Sequence, residues 1–267
     1  MTSGCWRPPG TLRIATWNVN SLRARMPRVE EWLGYARPDV LCLQETKVTD
    51  AAFPVMAFQA LGYETAFDGG AGRWNGVAIA SRVGLEGVTP GFDDDPEAES
   101  RSIGADCAGV RVWSVYVPNG REVGSEHYEA KLAWLGRLHD HLGGSCDPGS
   151  DLIVCGDFNV APEDRDVYDP RRFVGATHVS EAEREALRRL LDWGLVDVFR
   201  RCRPEDKLFS WWDYRAGDFH EHRGMRIDLL LATGGLADRA RMALIDRSAR
   251  KGKQPSDHAP VFVDLEI

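Results

Sequence analysis

An α/β domain whose sheets are covered by helices is predicted by three features of this sequence. Short apolar strands alternate with amphipathic helical segments. Polar and acidic residues recur where those strands end. No repeat, low-complexity tract or linker divides the 267 residues. Chains of this length commonly form one large domain, so residues 11–267 are expected to make a single domain behind an N-terminal tail, residues 1–10.

The elements follow in order. "TLRIATWNV" (11–19) reads as a buried strand, and the next segment, near 24–36, as a helix that stops before Pro38. "DVLCLQE" (39–45) is a second strand, apolar until it ends in Gln and Glu. "GVAIAS" (76–81) and "VRVWSVYVP" (110–118) are strands rich in Val and aromatics, the second closed by Pro118. Residues 125–142 carry apolar side chains at helical spacing behind a Ser125 cap. Strand "DLIVCGDF" (151–158) follows, then a helix over 180–192 with Ser180 as cap and Glu183 three residues on. "RIDLLLAT" (226–233) and residues 259–266 complete the strands.

Composition narrows the class. No stretch approaches the roughly 18 apolar residues of a membrane span, and "MTSGCWRPPG" lacks the charged start and apolar core of a secretory signal. The six cysteines, at 5, 42, 107, 146, 155 and 202, form no CxxC pair. Free thiols in a reducing cytoplasm are therefore expected, with no membrane partner. The net charge of −8 counts against a polyanionic partner. That charge is segregated, however. Five carboxylates sit within "FDDDPEAE" (92–99), a solvated loop by composition. Residues 239–253 hold Arg239, Arg241, Arg247, Arg250, Lys251 and Lys253 against Asp246, either as a solvated face or as a phosphate track leading to Asp257 and His258.

The functional signal lies in what ends the strands. Asn18 ends the first and Glu45 the second, Tyr116 lies near the end of "SVYVPNG", and Asp157 and Asn159 end "LIVCGDFN". Asp228 interrupts "RIDLLLAT", and Asp257 with His258 precedes the last strand. Each residue alone could serve a turn or a cap. Together they predict a common rim where sites in layered α/β proteins gather. Glu45 with one or more of Asp157, Asp228 and Asp257 offers the oxygen ligands of a hard cation, Mg²⁺ or Mn²⁺ rather than zinc. Asp157 could orient or deprotonate water, with Asn159 and Asn18 holding the geometry. His258, kept protonated by Asp228 or Asp257, could hydrogen-bond a phosphate oxygen as its charge develops. The chemistry this set predicts is phosphoester hydrolysis.

"TWNVNSLRAR", "LQETK", "VYVPNG", "GDFNVAP", "SWWDYR", "RGMRIDLLLA" and "PSDHAP", in that order, resemble the exonuclease III family of apurinic/apyrimidinic (AP) endonucleases, within the endonuclease/exonuclease/phosphatase superfamily. The similarity runs from about residue 11 to the C-terminus. The resemblance implies a four-layer α/β/β/α sandwich, two mixed sheets packed face to face and flanked by helices. It implies cleavage of duplex DNA 5′ to abasic sites, with 3′→5′ exonuclease and 3′-end-cleaning activities, in base excision repair. Glu45 would bind the metal, supported by Asn18, with Asp157, Asn159, Asp257 and His258 at or beside it. Tyr116 would contact the scissile phosphate, and Asp228 would orient His258. Trp211, Met225 and Ile227 match the apolar positions that receive the abasic sugar, Met225 standing where some relatives have tryptophan. Asn119 and Lys131 complete the expected substrate contacts. A monomer is expected.

Weaker features carry less. "HEH" (220–222) has no third ligand at useful spacing, and "GGAGRWNG" (69–76) lacks the Lys-Ser/Thr of a P-loop. Arg73, Trp74 and Asn75 are placed by the resemblance near the DNA backbone. Trp134 reads as core, and Trp212 as core or site. Residues 160–180 contain no assignable motif. Two other readings stay open: a phosphatase of the same fold acting on inositol phosphates or lipids, which would not need "SWWDYR", and a non-catalytic DNA-binding or scaffold protein.

Overall fold

The structure is a computed structural model that describes residues 7–70, 74–92 and 99–267. The expected tail therefore lies mostly outside the described residues, as do Arg73 and most of the acidic run at 92–99. In chain order the first half comprises β1 (Thr11–Asn18), α1 (Leu22–Ala36), β2 (Val40–Gln44), α2 (Val55–Ala60), β3 (Glu64–Asp68), β4 (Val77–Ser81), β5 (Glu86–Pro90), β6 (Ser102–Cys107) and β7 (Val110–Tyr116). The second half comprises α3 (Glu126–Ser145), β8 (Leu152–Asp157), α4 (Glu181–Asp192), β9 (Leu195–Asp197), α5 (Val198–Cys202), β10 (Asp228–Thr233), α6 (Gly234–Ala237), β11 (Ala240–Ile245) and β12 (Val261–Glu266).

Among the described residues these strands form two six-stranded sheets, ordered β11-β12-β1-β2-β4-β3 and β5-β6-β7-β8-β10-β9. Each is mixed by one parallel pair near its centre, β1 with β2 and β7 with β8. Strand alternation sends side chains to opposite faces. Leu12, Ile14, Val40, Cys42 and Ile79 of the first sheet thereby meet Val112, Ile153, Cys155 and Leu230 of the second in a dry inter-sheet core. The intervening Ala15, Trp17, Leu41 and Leu43 pack outward on Val29, Trp32 and Leu33 of α1. Trp113, Val115, Val154 and Leu229 pack outward on Trp134, Leu135 and Leu138 of α3 and Leu187 and Leu190 of α4. The result is the expected four layers.

Local signals explain the helix ends. Ser125 Oγ accepts the amide of Tyr128 at 3.2 Å, and Ser180 with Glu183 closes a capping box on α4. Arg37, at φ 46°, ends α1 in the left-handed region just before Pro38. Strands β3, β5, β6, β9 and β11 carry weak patterns and were not expected. β5 is an exposed edge strand, and β11 lies within the basic run. That run is mostly structural: Arg239 pairs with Asp151 and Arg241 with Glu266, and Arg250 turns inward to the Ser256 carbonyl. The described cysteines are free thiols, and no described helix is long and apolar enough to cross a membrane.

Candidate active site

The two central parallel pairs end at the same rim, which sets the site. In register, Asn18 stands beside Gln44, Tyr116 beside Asp157, and Asp157 beside Asp228 across the antiparallel β8–β10 pair. Gly156 permits this close arrangement. A Cβ there would lie 1.9 Å from the Val115 carbonyl oxygen, so any side chain would force β7 and β8 apart. Glu45 follows β2 at φ 51°, and Asn159 follows β8 at the same φ. Both leave their strands by a left-handed turn, a conformation asparagine tolerates well and glutamate less so.

Asn18 ties the two sheets together. Its Nδ2 donates to Glu45 Oε1 at 2.8 Å and to Asp157 Oδ2 at 2.9 Å. The other Asp157 oxygen accepts the Asn159 amide at 2.9 Å. Burial, reinforced by Asp228 and Glu45 and opposed by His258 and Asn18, pushes the Asp157 carboxyl up to about 7. His258 Nδ1 lies 2.8 Å from Asp228 Oδ2, while its Nε2 lies 3.7 Å from Asp157 Oδ2. Burial opposes the imidazolium, but the Asp228 and Asp157 carboxylates outweigh it and raise His258 to about 10. Asp228 is fixed in turn by Ser210 Oγ, which donates to it at 2.6 Å. Burial first, then the charges of Glu45 and Asp157, keep the Tyr116 phenol well above its usual range, so it remains a proton donor.

Asp257 faces the site from the first sheet. Its Oδ1 accepts Asn20 Nδ2 at 3.0 Å and its Oδ2 accepts Trp211 Nε1 at 3.1 Å. Burial would raise this carboxyl, yet His258, Asn20 and Trp211 hold it below the ordinary range. Lys47 Nζ bridges Glu45 Oε2 and Asn20 Oδ1, each at 2.7 Å. Glu45 and Asp157, held by the Asn18 amide nitrogen, and Asp257, tied to Glu45 through Asn20 and Lys47, offer carboxylate oxygens of the kind a hard cation takes. Among the described residues Asp157, Asp228 and His258 also form a compact three-ligand cluster. There the Nδ1–H of His258 is already committed to Asp228, so this trio reads as an oriented histidine rather than a metal cage.

The remaining expected residues fall in different places. Asn119 is exposed at the rim, and its Nδ2 donates to Asn159 Oδ1 at 3.1 Å. Lys131 is corrected: it is fully buried on α3, ion-paired with Glu183, and donates to the Asn159 carbonyl at 2.7 Å. It holds the Asn159 loop from beneath and leaves no surface open for a substrate contact. Met225 and Ile227 are 4% and 2% exposed and pack with Ala161, Val167, Phe173 and Val179, leaving the part-exposed Trp211 as the outer member of that cluster. Trp212 is core, and the HEH residues lie at the surface with His222 near the Lys207 carbonyl.

One site neighbour had no sequence signal. His178, within the unassigned stretch, sits at φ 76° with Nε2 3.1 Å from Asn159 Oδ1 and 3.3 Å from Asn119 Nδ2. Burial and the Lys131 charge lower it to about 4, so it stands at the rim as a neutral imidazole. The same stretch is anchored by Asp166, whose carboxylate accepts Arg226 Nε at 2.7 Å and Arg200 Nη2 at 2.5 Å.

Comparison with known proteins agrees with this geometry. The family described as Endonuclease/Exonuclease/phosphatase matches residues 15–258. Exodeoxyribonuclease III of Haemophilus influenzae is 34% identical over 269 residues, covering 96% of this chain and 100% of that protein. An AP endonuclease from Archaeoglobus fulgidus superposes with a TM-score of 0.93 at 41% identity, over 96% of this chain and 100% of its own. A 3′ phosphatase from Neisseria, solved with a product DNA hairpin, superposes with a TM-score of 0.91 at 37% identity over the same shares. With its paired sheets, its rim of carboxylates and these relatives along nearly the whole sequence, the chain belongs to the endonuclease/exonuclease/phosphatase family, among its exodeoxyribonuclease III-type hydrolases.

Proposed function

We propose that this protein is a Mg²⁺-dependent DNA-repair nuclease that hydrolyses phosphodiesters 5′ to abasic sites in duplex DNA and trims blocked 3′ ends, acting in base excision repair. The observation that carries this reading is the Asp228–His258 pair, 2.8 Å apart, aimed at Asp157 beside Glu45. A scaffold protein would have no use for a buried imidazolium held between two carboxylates, since burying charge is costly.

Asp157 is the base. Its pKa near 7 lets it take a proton from water at neutral pH, and Asn18 and the Asn159 amide fix which lone pair faces the water. His258 presents its Nε2–H to the phosphoryl oxygen, with Asp228 holding the ring orientation from Nδ1. Tyr116 and Asn119 would donate to the same phosphate. A divalent cation, Mg²⁺ with Mn²⁺ as a substitute, would be held by the Glu45 and Asp257 carboxylates with Asn18, Asp157 and Asn159 around it, and the protonated His258 would stand beside it without ligating. When bound it supplies Lewis-acid charge at the phosphoryl and leaving oxygens.

A second reading, mainly 3′-end processing, is favoured by one observation. Met225 and Ile227 are already packed against Phe173 and Val179, so an extruded sugar has little open apolar surface beyond Trp211. The similarity to the Neisseria 3′ phosphatase points the same way. Two substrates test both: a duplex with one internal abasic site, and a nicked duplex with a 3′-phosphate, each with Mg²⁺ and with EDTA. Mg²⁺-dependent incision of the first supports the main reading, and turnover of the second alone supports 3′-end processing. No Mg²⁺-dependent product from either would refute the nuclease.

A further inference from the structure

The second half of the basic run, residues 247–253, has no role in the chemistry described above. Arg239 and Arg241 are consumed by ion pairs, whereas Arg247, Arg250, Lys251 and Lys253 form none among the described residues. Asp246, the carboxylate within the run, is already bonded to Trp32 Nε1, the Tyr35 hydroxyl and the Ser248 amide.

A cleft of 350 Å³ opens beside these cations, between the 213–220 loop and residues 250–255. Arg250 lines it and is only 6% exposed. Its guanidinium carbon lies 4.8 Å from the Phe219 ring centre, 5.5 Å from that of Tyr214 and 5.8 Å from that of Trp212. Nη1 donates to the Ser256 carbonyl, Nε is buried without an acceptor, and Nη2 has no hydrogen-bond partner among the described residues. Aromatic faces stabilise a cation but do not satisfy its in-plane donors, and a buried charge without a counter-ion is costly. Asp257 attracts Arg250 from beyond ion-pair distance and is committed to Asn20 and Trp211.

The surroundings leave that charge in surplus. The two carboxylates lining the cleft, Asp213 and Asp218, are bonded to Arg215 and Arg223. Lys251 adds an exposed ammonium, on a loop whose carbonyl is held by Arg28 Nη2. Every residue of both lining segments is described. A guanidinium edge beside an ammonium matches the oxygens of a phosphate group. The cleft also backs onto the reacting centre. The Tyr214 hydroxyl donates to the Pro255 carbonyl at 2.9 Å, two residues before Asp257, and Trp211 donates to Asp257 itself.

Resting on the nuclease reading, we propose that this cleft is a second phosphate site, in which Arg250 and Lys251 take a backbone phosphate of duplex DNA other than the one that reacts. Such a contact fixes the register of the duplex without reading damage or sequence.

The test uses the full chain in EDTA, where no divalent cation can bind near Asp257. Fluorescence anisotropy measures affinity for an intact duplex and for one with a single abasic site across a salt series. Arg250→Met keeps an apolar stem against the three rings, and Lys251→Gln changes an exposed position. Each should weaken both duplexes alike and flatten the slope of log Kd against log salt by about 0.9, the value of one phosphate contact. Arg241→Gln, in the same run but paired with Glu266, should leave the slope unchanged. An unchanged slope in Lys251→Gln overturns the site, whether or not Arg250→Met folds. Equal flattening in Arg241→Gln also overturns it, since overall charge would then explain the effect. Melting in inorganic phosphate against chloride at equal ionic strength separates the sources. Stabilisation by phosphate that is lost in Lys251→Gln, with duplex slopes unchanged, would make this a free-anion site and overturn the DNA assignment. Wild-type protein that shows the expected slopes but cuts neither substrate with Mg²⁺ would sink the nuclease reading and leave the phosphate site standing.

Discussion

Trp211 Nε1 donates to Asp257 Oδ2 at 3.1 Å, joining the ring that faces the expected sugar position to a carboxylate of the proposed cation site. Trp211→Phe keeps the aromatic surface and deletes only this donor. A hydrogen bond to a charged acceptor contributes about 1.5–3 kcal/mol, so the cation affinity measured by calorimetry should fall roughly 10-fold. Trp211→Ala should in addition cut incision at an abasic site far more than it weakens binding to undamaged duplex. An unchanged cation isotherm in a stably folded Trp211→Phe would remove the positioning role.

Asp157→Asn should bind DNA and lose cleavage by about 10²-fold or more, the scale of a general base. The amide preserves shape but cannot accept the proton of water. Single-turnover cleavage at saturating Mg²⁺ measures this, and near wild-type rates would reassign the base.

Glu45→Gln should raise the Mg²⁺ concentration needed for half-maximal rate, because a neutral amide replaces an anionic ligand. It also removes the partner of Lys47, now 2.7 Å from Glu45 Oε2. A lower plateau with an unshifted titration would show that Glu45 is not a ligand.

Stability should depend on pH through Asp166. Burial alone would raise this carboxyl, but Arg226 and Arg200 outweigh it and hold the folded value below the ordinary 3.8. A depressed folded pKa contributes stability that is fully present above the unfolded value, about pH 4, and is lost as pH falls through the folded one. Asp166→Asn should cost about 3–5 kcal/mol at pH 7, since it leaves the buried Arg200 without a carboxylate and Arg226 with Asp197 alone. The gap to wild type should narrow on going to pH 3 in urea unfolding. A gap that is constant with pH would mean the carboxylate is not ionised in the fold.

The strand ends and the chemistry on them were legible along the chain. Asn18, Glu45, Asp157, Asp228 and His258 each follow or open an apolar run, and strand alternation is a local property that the order of residues carries. The caps at Ser125 and Ser180 were legible for the same reason, since their partners lie three residues away. Weakly patterned strands such as β5 and β11 escaped, because exposed edges do not require apolar alternation.

What the sequence by itself determined is therefore the layered fold and the list of groups available for phosphoester chemistry. The tertiary structure alone decided how those groups are used. Asn18 reaches Asp157 across 139 positions and His258 reaches Asp228 across 30, through sheet registers that no local pattern encodes. Lys131 has the composition of a phosphate contact, yet Glu183, 52 residues away, draws it into the interior to brace Asn159. His178 carries no motif at all and enters the rim only because its turn folds over that loop. Spacing along a chain specifies which side chains share a face, whereas burial and hydrogen-bond partners depend on segments distant in sequence, and those set each group's charge and reach.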